Sequence, residues 1–211
     1  MTAPAQKVTQ NQLVFDQFCQ EYALSLQQVE EFQLLLAVMK EAPLNITAIE
    51  KPNEIIELHF KDSLALGRCY ALANISMIAD IGSGGGFPGI PLKICYPHLK
   101  VLLIEVNTKK IDYLNSLIDK LQLNNIEVIG MDWRTFLRKT NFPVDLFMAR
   151  ASLAMDELLR MFQPSSWYNK AILVYWASRH FIADATAQRL LINEYEYTVQ
   201  NKQRRLLFFK K

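Results

Sequence analysis

Glycine is scarce in this chain, with 7 among 211 residues, and cysteine and histidine are scarcer still, at 3 each. Cys19, Cys69 and Cys95 are far apart and form no Cys-x-x-Cys pair. With so few histidines beside them they spell out no metal site and no disulfide framework. No run of 18 apolar residues occurs, which excludes a spanning helix. The opening MTAPAQKVTQNQ has no apolar stretch, so no signal peptide is expected, and the reducing cytoplasm is the expected compartment. Charge of one sign is lacking too. Lys+Arg minus Asp+Glu is 23 − 21 = +2, which excludes a polybasic tail but leaves room for a local basic patch. What is present is ordinary globular material: 51% apolar and 21% charged residues, enough for a real core in one α/β domain with a small appendage.

The first 74 residues read as helices. Residues 10–23 carry Leu13, Val14, Phe18 and Tyr22 at helical spacing, and residues 26–41 carry Val29, Phe32, Leu35, Leu36 and Met39. Ser25 followed by Gln28 is a capping-box pattern, and Pro43 ends the second helix. Residues 54–73 read as a third helix with a break near Lys61-Asp62. From residue 75 short apolar runs (75–80, 100–105, 126–131, 144–149 and 171–176) alternate with helical stretches. That alternation predicts a parallel sheet covered on both faces. Two last runs, 194–200 and 204–209, are joined by a short polar turn and must therefore be antiparallel. The expectation is a doubly wound, Rossmann-like α/β fold of seven strands over residues 75–211, with a helical cap (residues 1–74) packed on the same unit. The alternating basic and apolar residues from Lys202 to Lys211 read as a terminal strand with solvated charges.

Five of the seven glycines fall within eight residues, in Asp80-Ile-Gly82-Ser-Gly84-Gly85-Gly86-Phe87-Pro-Gly89. A chain so sparing of glycine uses it there for backbone conformation or close ligand approach. Two patterns fit: Gly84, Gly86 and Gly89 as the dinucleotide G-x-G-x-x-G, or Asp80, Gly82, Gly84 and Gly86 as the D-x-G-x-G-x-G of S-adenosylmethionine (SAM) enzymes. An acid at the strand tip repels a pyrophosphate but can pair with the amino group of a methionine moiety, so Asp80 favours SAM over NAD. Glu105, at the end of the next run, is placed to accept ribose hydroxyls under either reading.

At this point the residues resemble a family. Asn45-Ile-Thr-Ala-Ile49, Pro52, His59-Phe-Lys-Asp62-Ser63-Leu64, the stretch from Asp80 to Leu92, and Ala149-Arg150-Ala151 are similar to motifs of the bacterial small-subunit ribosomal RNA guanine-N7 methyltransferases, the RsmG or GidB family. The resemblance spans residues 25–180 and implies the class I SAM methyltransferase fold. It also implies SAM as cofactor and 16S ribosomal RNA or the small ribosomal subunit as partner; a monomer is expected, and the composition already speaks against a metal site and a membrane span. It places Gly82 and Phe87 in the cofactor loop, Glu105 on the ribose, and Trp133 and Arg134 around the adenine. Arg150 falls at the mouth shared by cofactor and substrate, and Asn45, His59 and Asp62 near that mouth. The chain departs from the family in Leu58 before the motif His, in Tyr175-Trp176-Ala177-Ser178 where Lys-Gly is usual, and in Asp132 where a base is common.

Guanine N7 carries a lone pair and no proton, so its methylation needs no general base, and catalysis is mainly positioning. Asp62 is the candidate acid for the positive charge that develops on the purine, and Arg150 is a candidate positioning residue. Lys61, Arg68, Lys109, Lys110 and Arg150 are candidate RNA contacts; Lys109 and Lys110 stand in a helix first turn, where the dipole disfavours cations. Rival readings are an RNA-binding member with weak or lost activity, a small-molecule SAM methyltransferase and a nicotinamide enzyme.

Overall fold

The computed structural model describes residues 10–41, 49 and 51–211, so Asn45 and Pro43 lie outside the described residues. Two helices come first, α1 (Gln10–Glu21) and α2 (Leu26–Glu41). The capping box forms as expected: the Ser25 N–H donates to Gln28 Oε1 at 2.9 Å, and the Gln28 N–H donates to Ser25 Oγ at 3.3 Å. The expected third helix is α3 (Pro52–Ile55), a widened π-type stretch over Ile56–Lys61, and α4 (Asp62–Cys69). The break anticipated at Lys61-Asp62 is the end of that π stretch. The chain does not stop there; it winds one residue wider, a distortion often found at functional sites.

Strands and helices then alternate as β1 (Met77–Ile81), α5 (Gly89–Cys95), β2 (Lys100–Glu105), α6 (Thr108–Lys120), β3 (Ile126–Gly130), α7 (Trp133–Lys139), β4 (Leu146–Arg150), α8 (Met155–Leu158) and β5 (Ile172–Ser178). α9 (Ala185–Leu190), β6 (Leu191–Val199) and β7 (Lys202–Phe209) follow. The sheet order is β3-β2-β1-β4-β5-β7-β6, parallel from β3 through β5, with β7 antiparallel to both of its neighbours. Two expectations need correction. β1 starts at Met77 and not at residue 75, because the Ile75 N–H closes a turn onto the Leu72 carbonyl at 3.1 Å. The sequence reading also missed α9, six residues whose apolar pattern is too short to show a period. Its start is set by Asp184, whose Oδ1 accepts from the Thr186 and Ala187 N–H groups at 2.8 Å each.

Residues of β1 and β2 alternate between two cores, as the pleat requires. Ile78, Val101 and Leu103 face the side of α1, α2, α4, α5 and α6; Ala79, Ile81, Leu102 and Ile104 face α7 and α8. The first core is continuous with the N-terminal helices through a cluster of aromatic rings. Phe18 meets Phe32 edge-on at 5.0 Å, and Phe60 from the π stretch lies 5.0 Å from Phe32. The strand order reverses between β1 and β4, and the crevice at their carboxyl ends is where open α/β sheets hold ligands.

Candidate cofactor and substrate site

The glycine loop leaves β1 at that reversal. Gly82, Gly84 and Gly86 all have positive φ. Gly84, at +56°, is the informative one: a Cβ there would meet nothing nearer than the Gly82 carbonyl at 3.9 Å, so it would project into open space in front of the loop. Gly89 is required for a different reason, since its Cβ would lie 2.5 Å from Leu103 Cδ2 and 3.0 Å from Asp80 Oδ2. Asp80 is fully buried, and Oδ2 accepts from the Gly89 N–H at 2.9 Å while Oδ1 has no partner. Burial pushes its carboxyl up to about 7, against the opposing pull of the Gly89 hydrogen bond and the Arg150 charge. Asp80 lies beneath the loop and outside both cavity walls described below. The expected direct meeting of its carboxylate with a ligand amino group is therefore not what this geometry provides; Asp80 ties the loop to α5.

Glu105 closes β2 and gathers three backbone donors. Oε2 accepts from the Gly84 N–H, and Oε1 from the Val106 and Asn107 N–H groups, each at 2.9 Å. A carboxylate has about four acceptor positions, which leaves one for a ligand. Glu105 lines a cavity of ≈ 280 Å³ with Ile81, Ile104, Met131, Trp133 and Leu153. Trp133 is buried and donates from Nε1 to the Glu157 carbonyl at 2.9 Å. The Arg134 side chain is paired with Glu157 (Nε to Oε2, 2.8 Å), and Arg134 does not line this cavity. Asp132, in place of a base, caps α7 through the Thr135 N–H at 3.0 Å.

A second cavity of ≈ 540 Å³ shares Gly82, Lys110 and Ala151 with the first. Its wall includes His59, Phe87, Asp62, Arg150, Tyr175, Lys202 and Arg204. His59 stacks on Phe87 with centroids 4.5 Å apart at 15°. Arg150 donates from Nη1 to Asp62 Oδ2 at 2.9 Å and from Nη2 to His59 Nδ1 at 3.0 Å. An arginine cannot accept, so Nδ1 is the acceptor and the imidazole proton sits on Nε2. Burial, and then the Arg150 charge, lower His59 to about 3, so the ring is neutral. The other Asp62 oxygen accepts from Tyr197 Oη at 2.7 Å, and the Asp62 carbonyl accepts from Trp176 Nε1 at 2.9 Å. Asp62 is 2% exposed with both carboxylate oxygens engaged.

The structure thus gathers Asp62, His59, Phe87, Gly82, Gly84, Glu105, Trp133, Lys110 and Arg150 at one crevice. Gly86 shapes the loop without entering either wall. Lys61 is held between Glu21 and Glu57, at 2.8 Å from each, outside both walls, and Arg68 is paired with Glu21; neither joins the proposed RNA contacts. Lys109 is exposed beside the crevice and outside its walls. Sequence reasoning missed Tyr197, Trp176, Ser152 and Arg204. Alternation along β6 and β7 puts Tyr197 and Arg204 opposite each other, but nothing local says that they meet Asp62. Three buried groups of this region lack partners: Asp80 Oδ1, Ser152 Oγ in the wall of the smaller cavity and Arg204 Nε in that of the larger. With the open cradle at Gly84 and the remaining acceptor of Glu105, the Ser152 hydroxyl suits an adenosyl ligand.

The sheet order, the glycine loop and the carboxylate closing β2 together define a class I methyltransferase-type α/β protein. Solved structures of the same fold include MtNAS in complex with MTA and tNA (TM-score 0.57, 15% identity, 93% of this chain and 75% of that one). A putative methyltransferase, yhhF from Escherichia coli, is another (TM-score 0.53, 14% identity, 72% and 87%). More specifically, residues 25–206 match the GidB family, rRNA small subunit methyltransferase G, and the chain belongs to that family. Among its relatives are the ribosomal RNA small subunit methyltransferase G proteins of Bacillus cytotoxicus (36% identity over 146 residues) and Lachnoclostridium phytofermentans (37% over 145). Each match covers 67% of this chain, and the chain spans 61% and 60% of the lengths of these relatives.

Proposed function

We propose that this protein transfers the methyl group of SAM to N7 of a guanosine in small-subunit ribosomal RNA, acting in the cytoplasm as a single chain in which the helical cap (residues 1–74) and the sheet domain (75–211) form one unit. The observation that carries the reading is the pair of joined cavities. The smaller, with Glu105, Trp133 and the glycine loop, suits the adenosyl group. The larger opens beside it and is ringed by cations. SAM when bound supplies an electrophilic methyl on a sulfonium. The protein supplies geometry. Glu105 and the Gly84 backbone hold the nucleoside part, Trp133 walls the base, and Phe87 with His59 closes one side of the mouth.

Arg150 uses three of its five N–H donors on the described residues Leu58, Asp62 and His59. The two that remain suit the O6 carbonyl of guanine, which leaves the N7 lone pair free to attack the methyl carbon. Asp62 balances the charge of Arg150 and keeps the guanidinium in one orientation. The target base must be extruded or single-stranded, because a stacked base cannot reach the crevice. The test is to map guanine N7 methylation on small-subunit RNA from cells with and without the gene, alongside calorimetry of SAM binding. Methylation that depends on the gene is the expected result. SAM binding without it favours a family member with lost activity, and no SAM binding overturns the reading.

A further inference from the structure

A third opening, of ≈ 640 Å³, lies beside the crevice. It is lined by Ser178, Arg179, His180, Thr198, Asn201, Lys202, Gln203 and Arg204. Two of these side chains are unambiguously cationic neighbours on one strand, a third comes from the loop after β5, and no carboxylate lines the opening. Ser178, Lys202 and Arg204 also line the larger cavity of the crevice, so the two spaces are continuous. Among the described residues, no carboxylate lies within ion-pair distance of Arg179, Lys202 or Arg204. Arg204 Nε is buried and without a partner. Elsewhere among the described residues Lys61, Arg68, Arg134, Arg160 and Arg205 have carboxylates, whereas others, Lys109, Lys120, Arg138 and Lys139 among them, do not. What sets the groove apart is that three such cations share one opening beside the crevice with no carboxylate in its lining.

Its walls are also held in place. Gln200 and Asn201 have φ of 46° and 61° and join β6 to β7 in a two-residue turn, with Val199 paired to Lys202. Lys202 and Arg204 stand on the same face, about 6.7 Å apart by the strand rise. That separation is close to the step between successive phosphates of an extended nucleotide strand. The facing loop is fixed by Arg205, which donates to the carbonyls of Ser178 and Phe181.

We infer that the groove between the β6–β7 hairpin and the loop after β5 is a phosphate track that holds the RNA strand flanking the target nucleotide and leads it to the crevice. This rests on the function proposed above. Lys202, Arg204 and Arg179 engage successive phosphates; His180, Asn201 and Gln203 offer polar contacts to sugar and base. The chain thus takes its RNA-binding charge from the C-terminal hairpin, whereas fifth-strand positions Tyr175 and Trp176 hold rings.

The test measures binding of a fluorescently labelled single-stranded RNA of mixed sequence to the full chain by anisotropy, across a salt series. It compares wild type with Arg179→Glu/Lys202→Glu, with the milder Arg179→Gln/Lys202→Gln, and with Lys120→Glu at the far end of α6. The expected result is RNA affinity at least ~10-fold weaker for both double variants, with the log–log salt slope shallower by about 0.7 per cation removed. Lys120→Glu should change neither, and SAM affinity should stay within about twofold in all. Unchanged RNA affinity and slope in the double variants, or an equal loss with Lys120→Glu, overturns the track. The binding assay needs no turnover. If wild type fails to methylate ribosomal RNA, the proposed reaction falls, while the contrast between variants still decides whether the groove binds RNA.

Discussion

The floor and the rim of the crevice are built in different ways. The floor comes from neighbours in sequence: residues 80–89 make the loop, Glu105 to Lys110 make the next turn, and the bonds between them span 9 to 21 residues. The rim is assembled from afar. Asp62 reaches Arg150 across 88 residues and Tyr197 across 135, and Trp176 reaches the Asp62 carbonyl across 114. A floor made locally survives as a recognisable string of residues. A rim made by distant contacts depends on the whole sheet being in register, and its energetics concentrate in one carboxylate.

If that contrast is right, damage at Asp62 has the largest effect. Asp62→Ala leaves Arg150 uncompensated in a mostly buried place and is expected to cost about 3–5 kcal/mol of stability, with methyl transfer abolished. Urea denaturation and methyl incorporation read both; turnover at the wild-type rate would remove Asp62 from the site. On the floor, Asp80 should show itself through pH. Its carboxyl is raised to about 7 in the folded chain from an ordinary 3.8. The native state therefore holds this proton more tightly than the unfolded chain, and the contribution to stability is present below 3.8 and lost as pH rises to about 7. Asp80→Asn should flatten that decline, seen as a smaller difference between denaturation midpoints at about pH 5 and about pH 8. An equal decline in both proteins would place the titration elsewhere.

Tyr197→Phe comes next. It strips one donor from a buried carboxylate, for an expected loss of about 1–3 kcal/mol. If Tyr197 only fills space, Phe restores it fully and the melting curve does not move. Smallest is Arg134→Ala, whose exposed pair with Glu157 should matter neither to thermal stability nor to SAM affinity; a clear loss of SAM binding would put the side chain, and not its backbone, in the site.

The same contrast explains what could be read before the structure. The apolar runs of β1, β2 and β4, the capping box at Ser25 and the glycine loop are local patterns with one physical solution. Glu105 was readable because its position at a strand end is itself a local fact. Asp62 and His59 were visible as motif residues, yet their engagement was not: whether a carboxylate points at a substrate or is consumed by Arg150 and Tyr197 depends on tertiary placement. Lys61 shows the error in the other direction, a cation next to the motif that turns out to be held by Glu21 and Glu57. α9 and the π stretch were missed because six residues, or one extra residue in a turn, leave too little periodicity to detect.

One feature of the sheet bears on how the molecule comes into being. β7 follows every other strand in the chain, yet it lies inside the sheet, between β5 and β6. A nascent polypeptide emerging as far as residue 200 therefore carries two bare strand margins, one of them along β5, with their amide and carbonyl groups facing outward. Tyr197 has then been synthesised but has no settled partner strand to aim it at Asp62. Insertion of β7 seals both margins in one event and completes the rim at the same time, so assembly of the crevice and protection from misassociation arrive together.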